Sequence, residues 1–130
     1  MRATWTETDI AGDGINIHVY RSVPAQISST PSALPILLIL HSLLGSGGTL
    51  LPVATSLTEN FEVIIPDARG HGLTQPVPKG SFLMKYLVKD AELVLRNASS
   101  HGRDVFLLGH SMGAATAARV AKANADLIQA

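Results

Sequence analysis

An α/β domain is what this sequence predicts: a mainly parallel sheet that begins with an antiparallel hairpin and carries flanking helices. Three observations lead there. The runs 35–40, 61–66 and 105–108 are apolar without alternation, the pattern of strands buried on both faces. Helical segments separate and follow these runs, so strands and helices alternate, with right-handed crossovers expected. Ahead of them, Ile15-Asn16-Ile17-His18-Val19-Tyr20 alternates apolar and polar, and a Gly12-Asp13-Gly14 turn joins it to a weaker alternation at 4–8, which reads as a hairpin.

After the hairpin, residues 23–35 hold three prolines and several serines and read as a loop. Pro35 to Leu40 is the first buried strand, followed by the glycine-rich stretch His41 to Gly48. Thr49 to Thr58 is a helix with Pro52 in its first turn, where a missing N–H costs nothing. Phe61 to Pro66 is the second buried strand, and Asp67 to Lys79 is a loop rich in Gly and Pro. From Ser81 to Asn97, apolar residues recur at helical spacing. Val105 to Leu108 is the last strand, and Met112 to Gln129 the last helix. No repeat or internal domain boundary is visible, so residues 1–130 form one domain.

Composition narrows the function. Hydrophobic residues make up 46% and charged residues 15%, so much of the chain should be buried. Ten basic and ten acidic residues cancel, which leaves no electrostatic footprint for nucleic acid or an anionic membrane. With no cysteine, disulfides, thiolate chemistry and cysteine-based zinc sites are excluded. The segment Met1 to Glu7 is polar, and the longest apolar run, Leu34 to Leu40, is far too short to span a membrane, so a cytoplasmic location is expected. The sequon Asn97-Ala98-Ser99 carries little weight without a secretion signal.

The motif with most chemistry in it is Gly109-His110-Ser111-Met112-Gly113, a G-x-S-x-G placed between the last strand and the last helix. The bare pattern occurs by chance in roughly 4% of chains this long. Its context gives it force. A serine on a sharp strand-to-helix turn has its hydroxyl pushed out for attack, and the helix aims its free N–H groups at the same place. The alternative is a structural turn with an incidental serine. A rival class, nucleotide binding by Gly45, Gly47 and Gly48, lacks both G-x-G-x-x-G and the Gly-Lys-Ser/Thr of a P-loop. A metal site from His41, Asp67 and His71 lacks paired ligand spacing, and no cofactor or metal is expected.

With Leu40-His41-Ser42-Leu43 after the first buried strand and Asp67-Ala68-Arg69-Gly70-His71-Gly72 after the second, the chain resembles the α/β-hydrolase family from about Thr4 onward. The resemblance covers only the front half of that fold. It implies the strand order 1-2-4-3-5. It also makes Ser111 the nucleophile toward a small-molecule ester or other acyl substrate, through a covalent acyl intermediate. Backbone N–H groups of Met112 and Leu43 would form the oxyanion hole, with His41, Gly109, His110 and Gly113 shaping the site. Ser42 stands where the family usually has glycine, so its Cβ is expected to alter the loop's φ/ψ. Ala114 also replaces a frequent glycine, with little effect expected in a helix.

The family's acid and histidine follow the serine in sequence, yet after Ser111 the chain has only Asp126 and no histidine. The five histidines fit other places: His41 positions the oxyanion loop, His71 is structural, adjacent His110 points away from Ser111, His18 faces out from a strand, and His101 lies in a surface loop. The chain is therefore expected to be a truncated hydrolase, deficient by itself. The last strand would form an open edge, and the last helix reads apolar on several sides. The alternative is an inactive fragment or binding module that self-associates or pairs with a complementing chain through that edge.

Overall fold

A computed structural model describes residues 4–23, 34–75, 77–98 and 102–129. The expected loop at 24–33, His101 and Ser99 of the sequon lie outside the described residues. The elements are β1 (Thr4–Ala11), β2 (Asn16–Val23), β3 (Ile36–Leu40), α1 (Gly47–Ala54) with a 3₁₀ turn at Thr55–Leu57, β4 (Glu62–Pro66), α2 (Met84–Ala98), β5 (Val105–Gly109) and α3 (Met112–Ala123). They build one five-stranded sheet in the order β1-β2-β4-β3-β5. β2 runs antiparallel to both β1 and β4, and β3 runs parallel to β4 and β5. Only β2 is therefore reversed.

The hairpin extends past the alternating residues because its register holds from Ala11↔Asn16 to Thr4↔Val23. Gly12 N–H donates to the Ile15 carbonyl at 2.7 Å, and Gly14 turns the chain at φ 70°. β1 is a polar, largely exposed edge, held by its ladder more than by burial. In β3 and β4 every residue is buried. Along β3 the even positions Ile36, Leu38 and Leu40 join a core under α2 and α3 with Ile64, Leu95 and Val120. The odd positions Leu37 and Ile39 join Val63, Ile65 and Ala54 on the α1 side. Two covered faces explain a strand without alternation.

Three expectations need correction. α1 begins at Gly47 because Ser46, ahead of the apolar residues, makes a capping box with Thr49; Pro52 thus falls inside the helix rather than in its first turn. β5 is half-exposed rather than buried. α3 stops at Ala123, where Asn124 donates both its N–H and its side-chain amide to the Val120 carbonyl. The chain then turns back, Ile128 bridges Val105 in parallel, and Gln129 N–H donates to the Val105 carbonyl at 2.8 Å. The outer edge of β5 is thus paired at its first residue.

Two ionic clamps tie the sheet. At the start of β4, buried Glu62 takes Arg21 from β2 and Arg103 from ahead of β5 at 2.6 Å. Burial pushes the Glu62 carboxyl up, but the two guanidinium hydrogen bonds outweigh it and hold it below the usual range. On the hairpin, His18 meets Asp9 through Nδ1 and Glu7 through Nε2, both at 2.9 Å. Burial alone would lower its pKa; the two carboxylates raise it above the usual value. Two acceptor partners require both ring nitrogens to carry protons.

These clamps weaken in opposite pH directions. The Glu62 contribution is complete above its unfolded value near pH 4.3 and is lost as pH falls through its depressed folded value. The His18 contribution is complete below its unfolded value near pH 6.5 and is lost as pH rises through its raised folded value. In urea titrations, Glu62→Gln should cost about 2 kcal/mol at pH 7, with the gap to wild type closing in acid. Hydrogen exchange of β1 amides should quicken above about pH 7 in wild type and be pH-insensitive beyond intrinsic exchange in His18→Gln. A constant Glu62→Gln deficit at all pH, or no His18-dependent change, would contradict the assignment.

Candidate active site

The turn between β5 and α3 is built by close backbone contact. His110 N–H donates to the Leu40 carbonyl at 3.1 Å, which carries the β3–β5 pairing one residue past the strand. Gly113 N–H then donates to the His110 carbonyl, and Ala114 and Ala115 N–H to that of Ser111. A Cβ on Gly113 would collide with the carbonyls of Leu40 and His41, and one on Gly109 with the backbone of Gly113 and Ala114. Both glycines are needed for space. Ser111 bears the torsional cost: φ 55° and ψ −114° place an L-residue in a sparsely populated region. Its side chain is exposed and makes no hydrogen bond among the described residues. Met112 opens α3, so its N–H has no carbonyl one turn back within the helix.

The loop after β3 lies against this turn through Leu40 and His41. His41, 3% exposed, donates from Nδ1 to the Ser42 carbonyl at 2.8 Å and accepts the Ala68 N–H at Nε2, 2.9 Å. His71, on the loop after β4, repeats the arrangement in the opposite direction. Its Nδ1 donates to the Arg69 carbonyl at 3.0 Å and its Nε2 accepts the Leu44 N–H at 3.0 Å. The rings lie 5.3 Å apart. Each partner fixes a tautomer, since a carbonyl can only accept and an N–H can only donate. Burial lowers the His41 pKa below the usual value, outweighing the hydrogen bond to the Ser42 carbonyl and the nearby Asp67, which raise it. The expected distortion at Ser42 falls elsewhere: the left-handed residue of this loop is Leu44, at φ 65°.

The remaining motif residues brace the same loops. Asp67, fully buried, accepts Gly47 N–H from the start of α1 at 2.6 Å and Leu73 N–H at 2.9 Å. A Cβ on Gly72 would collide with its carboxyl. Buried Arg69 makes a two-pronged pair with Asp90 on α2 at 2.6 and 2.9 Å, donates to the Ser81 carbonyl, and lies over the Tyr86 ring. Asp90 and Ser81 were not singled out in the sequence, where nothing marks them apart from other helix and turn residues.

His41, Gly109, His110, Ser111, Met112 and Gly113 thus come together at the C-terminal ends of β3 and β5, and Ser42 and Leu43 follow His41 in the loop after β3. No imidazole or carboxylate is hydrogen-bonded to Ser111 among the described residues. Both nitrogens of His18, His41 and His71 are engaged elsewhere. His110 is exposed and lines an apolar groove against α1 with Leu50 and Leu108, and Asp126 is exposed in the turn after α3. Among the described residues, no group of three His, Cys, Asp or Glu could hold a metal. None of the described helices is long and apolar enough to cross a membrane. Behind the turn, a cavity of about 30 Å³ bounded by Leu40, Met112 and Thr116 has room for a water, not a substrate.

The strain at Ser111 has a measurable consequence. Ser111→Gly should stabilise the fold by about 1–2 kcal/mol in denaturant titrations, because glycine accepts this backbone at little cost. Ser111→Ala should give no such gain. Gly113→Ala should severely destabilise it. Equal stability of the Gly and Ala variants at position 111 would remove the strain from the account.

The family model described as "Serine aminopeptidase, S33" matches residues 31–130. The magnesium-chelatase 30 kDa subunit of Rhodobacter capsulatus is 30% identical over 95 residues, 73% of this chain and 33% of that protein. Protein phosphatase methylesterase 1 of Kluyveromyces lactis is 28% identical over 137 aligned positions, 89% of this chain and 35% of that protein. This chain thus spans about a third of the length of these curated relatives. The thioesterase domain from the curacin biosynthetic pathway superposes with a TM-score of 0.82 at 23% identity, covering 97% of this chain and 42% of that one. By motif, strand order and family match together, the chain belongs to the α/β-hydrolase family and corresponds to its N-terminal portion.

Proposed function

We propose that these residues carry the nucleophile and both oxyanion donors of a serine hydrolase acting on small-molecule ester or acyl substrates. The observation behind this reading is the forced backbone of Ser111 between β5 and α3. Structures keep such strain where the surroundings over-determine it, and a turn of this kind presents Oγ above the sheet. Oγ attacks the acyl carbon while its proton passes to a base. The carbonyl oxygen becomes an oxyanion facing the N–H groups of Met112 and Leu43. Collapse expels the protonated leaving group, and water then releases the acid from the acyl-Ser111.

Among the described residues, no base and acid are gathered at Ser111. We assign the base to a residue other than His18, His41 and His71, whose ring nitrogens are engaged, the chain spanning about a third of the relatives' length. Likeness alone does not select the reaction: one relative is named a chelatase subunit, another a methylesterase. The serine is what favours hydrolysis.

In the protein of natural length, a fluorophosphonate should label Ser111 and no other residue, and Ser111→Ala should abolish both labelling and ester hydrolysis. Unlabelled Ser111 in a protein with esterase activity would overturn the reading. In a preparation restricted to these 130 residues, turnover should be at trace level and nearly unchanged by Ser111→Ala. Loss of the histidine alone costs about 2 × 10⁶ in kcat in the subtilisin case.

A further inference from the structure

We propose that His71 is a positioning residue of the oxyanion loop, and that it serves only as a neutral imidazole. Its catalytic consequence rests on the serine-hydrolase reading above; its geometry does not.

The Leu43 N–H lies in the peptide plane that joins Ser42 to Leu43, and the plane that follows, joining Leu43 to Leu44, completes the turn that keeps it in place. A trans peptide fixes its N–H opposite its C=O. The first plane joins Ser42 to Leu43. Its carbonyl is held by the Nδ1–H of His41 at 2.8 Å and by Gly45 N–H at 2.9 Å, so the Leu43 N–H on the other end points away from both. The second plane joins Leu43 to Leu44. Its N–H is held by Nε2 of His71 at 3.0 Å. One histidine therefore sets each plane.

The second plane needs its partner more than the first. Leu44 sits at φ 65°, a left-handed conformation that is unfavourable for a residue with a side chain. Its own side chain is 90% exposed, so packing supplies nothing to hold it there. The hydrogen bond to His71 is the long-range contact made by the Leu44 backbone, spanning 27 residues from one loop to the other. His71 in turn is aimed by its Nδ1–H to the Arg69 carbonyl and lies against Phe82, ring centroids 5.7 Å apart.

Protonation of Nε2 would set an N–H against the Leu44 N–H, two donors with no acceptor between them. The charged and titratable groups around His71 offer it no escape. His41 across the loop is itself fully bonded. Asp67 already accepts Gly47 and Leu73 N–H, and Arg69 is committed to Asp90. The imidazolium would release the second plane and loosen the turn 42–45, whose closing bond from Gly45 N–H to the Ser42 carbonyl helps to hold the first plane and with it the Leu43 N–H.

The test uses the protein of natural length. Imidazole ¹⁵N spectra should show His71 unprotonated at Nε2 at pH 8. The Leu44 amide should be protected from exchange in wild type and should lose that protection in His71→Leu. His71→Gln keeps an acceptor near Nε2 without a titrating proton; His71→Leu removes it. On a p-nitrophenyl ester, His71→Leu should lose about 10²–10³ in kcat with KM nearly unchanged, the usual effect of one lost oxyanion donor. His71→Gln should stay within about tenfold of wild type, a far smaller loss. A protonated Nε2 at pH 8, Leu44 protection indifferent to His71, or equal damage from Gln and Leu would overturn the proposal. If His71→Leu fails to fold, the wild-type spectra and the Gln variant decide alone. If Ser111 proves inert in wild type, the hydrolase reading falls, while the spectra still judge the pin.

Discussion

The backbone of Gly113 lies against the carbonyls of Leu40 and His41 with no room for a Cβ, and the site depends on that approach. It joins three things. β3 ends there, the strand with both faces buried and hence the least free to move. The loop carrying Leu43 begins there. The turn carrying Ser111 is pressed onto it and tied by the His110 hydrogen bond to Leu40. A strained serine persists only if relaxing it would break something costlier. Here relaxation would pull α3 from the sheet and expose Thr116, Ala117 and Val120, which that helix buries.

Polar residues then extend this fixed point across the ends of the strands. His41 and His71 are suited to the task because a neutral imidazole is both donor and acceptor on one rigid ring. Each closes a gap between two loops that have no ladder of their own. Asp67 works differently, as an acceptor for the free N–H at the start of α1, where negative charge is favoured. Arg69 and Asp90 lock the loop after β4 to α2 through a desolvated two-pronged pair. No buried side-chain nitrogen or oxygen is left without a partner among the described residues. That satisfaction lets a polar cluster sit at the rim of an apolar core.

The parts of this arrangement legible in the sequence are those governed by local pattern. Unbroken apolar runs revealed β3 and β4, because covered sheets remove alternation. Ser111 was legible because a strand, a tight turn and a helix meet within a few residues. The errors have physical sources too. Ser46 starts α1 before any apolar periodicity is visible, so the helix seemed to begin at Thr49. Ala, Leu and Ile after Ala123 suit a helix, but the Asn124 cap and the bridge from Ile128 to Val105 win. The function of His71 was illegible: its partner stands 27 residues away in a loop, and no periodicity links two loop positions. The family resemblance supplied the strand order, and the structure supplied the reason for its glycines.

The division between what these residues hold and what they lack follows from the same chemistry. A nucleophile and its oxyanion donors need fixed positions, and backbone geometry at strand ends provides them. A general base needs a nitrogen whose lone pair is free to take the serine proton. His41 and His71 lie near enough in the fold to suggest themselves, yet each has spent its lone pair on a backbone N–H and its proton on a carbonyl. In the proposed hydrolase, recruiting either ring as base would undo the loop that carries the Leu43 N–H. Positioning and proton transfer in that hydrolase therefore cannot share one of these imidazoles, and the base for Ser111 would be a residue that does not hold the loop.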